Sequence, residues 1–118
     1  MPPRRTSLSQ HDPLIPLRHM LDHGREALAH VHGKSRKDFE ADRLCHLAVV
    51  HLVGIVGEAA SRVPPDVQSR YPDIPWREIV GTRNRLIHGY DNVDNDQLWE
   101  ILEKDLPDLI PKLEKYLG

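Results

Sequence analysis

The sequence predicts an all-α fold, an up-and-down bundle of roughly four or five helices, and three observations carry that expectation. Apolar residues recur at helical spacing, as in Leu17, Met20, Leu21, Leu28 and Val31. The hydrophobic fraction is 39% but aromatics make up only 5%, so the core is aliphatic, which suits packed helices better than strands rich in aromatic and β-branched residues. No β-hairpin signal, internal repeat or low-complexity tract interrupts the pattern. With 118 residues the chain suits one domain and is too short for two. Residues 12–118 are assigned to that domain, behind a disordered tail of residues 1–11.

The first helix is expected to open at Asp12-Pro13, because Asp is a preferred cap and Pro is tolerated at the first helical position. Gly33 ends it. A second helix is expected from about Asp38 to Arg62, where Val63-Pro64-Pro65 stops it. Its middle, Leu44 to Val56, is apolar on nearly every face, and such a helix must be buried all round. So small a domain cannot cover it alone, so the sequence predicts a homodimer. A connector with one short turn leads to Pro75, which opens a third helix running through Trp76, Ile79, Val80, Leu86 and Ile87. Gly89 stands where a left-handed residue closes a helix. Asp94 with Gln97 resembles a capping box and starts a fourth helix, which Pro107 and Pro111 are expected to kink or restart.

Composition narrows the function classes. The single Cys45 excludes an intramolecular disulfide framework and points to a reducing, cytoplasmic setting. Arg4 and Arg5 are followed by no apolar stretch of the kind a signal peptide needs. The longest apolar run, Leu44 to Ala60, is interrupted by His46, His51 and Glu58, which speaks for a buried helix and against membrane association. A net charge of −2 argues against strong general affinity for nucleic acid. The charge is uneven, however. Arg70, Arg77, Arg83 and Arg85 make residues 70–88 basic, whereas residues 91–108 are acidic and read as a solvated helix face.

Eight histidines are many for this length. His19 and His23, at i and i+4, have the spacing of a metal clamp but no further ligand at a motif spacing, so no metal or cofactor is expected. His46 and His51 read as interior or interface residues. The segment Arg83-Asn84-Arg85-Leu86-Ile87-His88-Gly89-Tyr90 is different in kind. Arginine offers a planar, permanently charged fork for phosphate oxygens, and histidine exchanges a proton near neutral pH. On a continuous helix Asn84 shares a face with His88, whereas Arg83 and His88 diverge, so their convergence calls for a distorted last turn or a second subunit. The plainer reading of the same residues is a basic helix terminus favoured by the macrodipole.

Arg83-x4-His88-x-Tyr90 resembles the Arg-x4-6-His motif of the HEPN superfamily. The strings Ile55-Val56-Gly57-Glu58-Ala59-Ala60, Arg70-Tyr71-Pro72-Asp73-Ile74-Pro75-Trp76 and Leu98-Trp99-Glu100 resemble its HepT-like branch. His51 and Gly54 depart from it, standing where relatives often carry an arginine and an acidic residue. The resemblance implies a dimeric helical toxin that cleaves RNA without metal, with Arg83 and His88 catalytic, Asn84 supporting them and Arg85 a further phosphate contact. It also implies a minimal nucleotidyltransferase antitoxin that adenylylates Tyr90. The alternative is a non-catalytic dimeric binding subunit of such a nucleotidyltransferase.

Overall fold

The computed structural model describes residues 12–89 and 92–118. The tail expected over residues 1–11 and the expected modification site Tyr90 therefore lie outside the described residues. Helix α1 (Leu14–Val31) begins as its sequence predicts, with Asp12 Oδ1 accepting the Leu14 N–H at 2.9 Å. It ends ahead of Gly33, whose φ of +76° only glycine adopts without strain. Its Leu17, Met20, Leu21, Gly24 and Ala27 are buried, the i, i+3, i+4 stripe of an amphipathic helix.

The single second helix expected from Asp38 to Arg62 is instead two, α2 (Arg36–Ala41) and α3 (Arg43–Ser61). Asp42 between them is extended, at φ −89° and ψ 94°. The cause is local competition for backbone donors. Ser35 Oγ accepts from Asp38 N–H at 3.1 Å, and Asp42 Oδ1 accepts from Cys45 N–H at 3.1 Å, so each starts its own helix. That Cys45 N–H, and then the Lys34 ammonium, hold the Asp42 carboxyl below the usual carboxylate range.

Helix α3 is long and apolar enough to cross a membrane by length and composition. Its Cys45, Val49, Leu52, Val53, Val56, Gly57, Ala59 and Ala60 are nevertheless buried in the protein, against α1 and the elements that follow. The burial is one-sided: Leu44 is 80% and Leu47 47% exposed. A short turn of helix, α4 (Pro65–Gln68), sits in the connector as expected. Trp76 Nε1 fastens the connector by donating to the carbonyls of Gln68 (3.0 Å) and Tyr71 (3.1 Å).

The third helix is also divided, into α5 (Trp76–Val80) and α6 (Thr82–Leu86) on either side of Gly81. The C-terminal helix is α7 (Asn95–Glu100), a π-helical turn (Ile101–Asp105) and α8 (Leu106–Leu117). The expected break at Pro107 takes the form of this widened turn, whereas α8 runs on through Pro111 without the restart expected there. Pro107 has no N–H to close an α-turn, and the preceding Leu106 N–H reaches back five residues to the Ile101 carbonyl. The core is aliphatic, with Leu17, Met20, Leu86, Leu98 and Leu113 fully buried, and Phe39 is its one phenylalanine. Phe39 stacks on Trp99 with ring centroids 5.7 Å apart. The result is an all-α, HEPN-like bundle.

Candidate active site

Two glycines decide where the site is built. A Cβ at Gly57 of α3 would lie 2.9 Å from the Ile79 carbonyl oxygen, so only glycine lets α3 pack directly on the backbone of α5. Gly81 then separates α5 from α6, and Thr82, buried, donates its hydroxyl to the Glu78 carbonyl at 3.2 Å. Leu86, fully buried, pins the other end of α6 in the core. With Thr82 and Leu86 turned inward, Arg83 and Asn84 are left exposed.

The helix stops at Leu86, earlier than its apolar pattern predicts. Ile87 is extended, at φ −111° and ψ 117°, and forms an antiparallel bridge with Val93. His88 N–H donates to the Asn92 carbonyl at 2.8 Å, and Asp94 N–H donates to the Leu86 carbonyl at 2.7 Å. Gly89, directly after His88, takes a left-handed φ of +84°. His88 therefore stands on a short extended segment, so the i, i+4 relation to Asn84 expected on a helix does not hold. The last turn of the expected motif helix is replaced by this segment.

The two arginines of α6 serve opposite sides. Arg83 lines a groove of about 340 Å³ with Leu47, Val50, His51, Gly54 and Ile55 of the exposed side of α3, and with Ile87, the neighbour of His88. Arg85 lines a separate cavity of about 380 Å³ with Lys104 and Asp105 of the π-helical turn. Its guanidinium is occupied: Nη2 donates to Gln97 Oε1 at 3.0 Å, Nη1 to the Glu78 carbonyl at 3.3 Å, and Asp105 is 3.6 Å away. Gln97 thus spends its side chain on Arg85. The capping box closes on one side only, with Asp94 Oδ1 accepting Gln97 N–H at 3.1 Å.

Asp94, besides capping α7, stands next to His88. Its Oδ2 lies 3.7 Å from His88 Nε2. Six positions separate the two, and only the Ile87–Val93 bridge brings them together. The available signal was a pair of β-branched residues flanking Gly89 and Asn92, a turn composition inside an otherwise helical sequence. Of the histidines, His46 Nε2 donates to Asn95 Oδ1 at 2.7 Å, tying α3 to α7, and His51 is exposed in the Arg83 groove. His19 and His23 meet edge to face with centroids 6.0 Å apart.

The family described as Ribonuclease HepT-like matches residues 20–116. The chain belongs to the HepT-like ribonuclease family of the HEPN superfamily. It is similar to "Probable ribonuclease HepT" of Thermococcus cleftensis, with 40% identity over 67% of this chain and 72% of the relative. A protein of Caldanaerobacter subterraneus subsp. tengcongensis, named provisionally as an RNase, is 33% identical over 86% of this chain and 90% of its own length. A third relative, from Methanocaldococcus jannaschii, is named as a gamma-glutamylcyclotransferase joined to a provisional RNase. It is 31% identical over 90% of this HepT-like chain, which covers 48% of that longer protein. No solved structure matches the chain.

Proposed function

We propose that this HepT-like chain is the ribonuclease toxin of a type VII-like toxin–antitoxin pair, cleaving RNA without a metal ion through Arg83 and His88. The observation that carries the reading is the presentation of the motif. Arg83 and His88 are exposed, and Arg83 lies in a groove whose other wall is the uncovered side of α3, with Leu47, Val50 and Ile55 beside the polar His51 and Glu58. In the reaction the ribose 2′-oxygen bonds to the adjacent phosphorus and the bond from phosphorus to the 5′-oxygen breaks. The products are a 2′,3′-cyclic phosphate end and a 5′-hydroxyl end. His88 moves the proton, Arg83 stabilises charge building on the phosphorane oxygens, and Asn84, exposed next to Arg83 in the chain, supports them as a neutral donor.

A homodimer completes the reading. Leu44 is 80% and Leu47 47% exposed, and a second copy packed on this side of α3 would bury both. It would also set two motifs in one cleft. Arg85 serves as a further phosphate contact only by exchanging its bonds to Gln97 and Glu78. A minimal nucleotidyltransferase antitoxin would silence the enzyme by attaching AMP to Tyr90, adding bulk and negative charge two residues from His88. The purified protein is to be incubated with RNA in EDTA and the product ends examined. Cyclic phosphate ends are expected; intact RNA with a folded dimer would favour the non-catalytic binding subunit instead.

A further inference from the structure

We infer that Asp94 is a positioning residue for His88, holding the imidazole with Nε2–H turned toward its carboxylate so that Nδ1 is the nitrogen that exchanges the proton. This rests on the ribonuclease reading above and adds to it a residue outside the Arg-x4-His-x-Tyr string. The carboxylate is itself fixed. Its Oδ1 accepts Gln97 N–H at 3.1 Å, and its backbone N–H donates to the Leu86 carbonyl at 2.7 Å. With one oxygen committed to the cap, the other is left at 3.7 Å from His88 Nε2. That separation is longer than a hydrogen bond, so the pair closes only when the exposed imidazole turns toward the carboxylate. A carboxylate oxygen has only acceptor capacity, so the partner nitrogen must carry the proton, and the tautomer follows. His88 is tied to the same bridge by its own N–H bond to the Asn92 carbonyl, so both members of the pair ride on one piece of backbone.

Cap-preserving substitutions separate this role from simple helix capping, because Asn and Ser cap helices about as well as Asp. In Asp94→Asn the cap keeps the amide oxygen on Gln97 N–H, which turns the NH2 group toward His88 and favours the wrong tautomer. In Asp94→Ser the cap survives and His88 loses its partner. Both variants are expected to melt as the parent does, and to lose on the order of 10²-fold in kcat with little change in KM. Combined with His88→Ala, Asp94→Ser is expected to cost nothing further. Nitrogen-15 spectra of the His88 ring are expected to show the Nε2–H form in the parent and a shift toward the Nδ1–H form in Asp94→Asn. Parental kcat in both variants with an unchanged tautomer would reduce Asp94 to a cap and overturn the inference. A parent that cleaves no RNA, yet shows the Asp94-dependent tautomer, would instead overturn the ribonuclease reading and leave the positioning intact.

Discussion

Arg83 and Arg85 are two residues apart on one five-residue helix, yet they belong to different parts of the molecule. Arg85 looks toward the π-helical turn and α7, where Gln97 and Asp105 face it, and back to the Glu78 carbonyl of α5. Arg83 looks outward to a groove floored by the uncovered side of α3. The same contrast separates Gly57, pressed against the backbone of α5, from Gly54, which has open space where a Cβ would stand. One side of the motif is architecture, already saturated by its own chain. The other is left unsaturated, as a surface that meets substrate or a second subunit must be.

The largest effects test the open side. Arg83→Ala and His88→Ala are each expected to lower RNA cleavage by ~10²–10⁴-fold while leaving the melting temperature alone, since both side chains are exposed. A folded variant with full cleavage would place the motif among structural features and erase the contrast. Leu47→Asp puts a charge into the centre of the uncovered α3 face. It is expected to give a folded monomer in sedimentation, with cleavage lost together with the dimer. A dimer that survives this change would move the interface elsewhere.

Smaller effects test the saturated side. Gly57→Ala must displace the Ile79 carbonyl or α3 itself, so denaturant titration should show a loss of about 1–3 kcal/mol despite alanine's better helix propensity. Arg85→Ala removes bonds to Gln97 and Glu78 from a partly exposed site and is expected to cost about 1 kcal/mol. An unchanged KM would confine Arg85 to architecture, and a raised KM would make it a phosphate contact as well. Gly54→Ala meets nothing within van der Waals range and should raise the stability of the protomer by about 0.5–1 kcal/mol. The sharpest form of the comparison is therefore two glycines three positions apart, with opposite signs for the same substitution.

Chain-local chemistry determined much of this protein. The aliphatic, helical character, the Asp12 and Asp94 caps, the turn at Gly33 and the basic motif were all legible, because each depends on residues a few positions apart. The HEPN resemblance was legible for the same reason, being a string read in order. The break at Asp42 is equally local, its carboxylate capping a new helix three residues on, although the apolar pattern hides it. Two divisions were decided otherwise. The close packing of α3 on Ile79 accompanies a break at Gly81. Leu86, drawn into the core, left Ile87 to pair with Val93 instead of extending a helix. The position of His88 beside Asp94, and of Arg83 and Arg85 on opposite sides, follows from those long-range contacts. Periodicity says which residues want burial, and only the packed bundle says which neighbour buries them and which faces are left open.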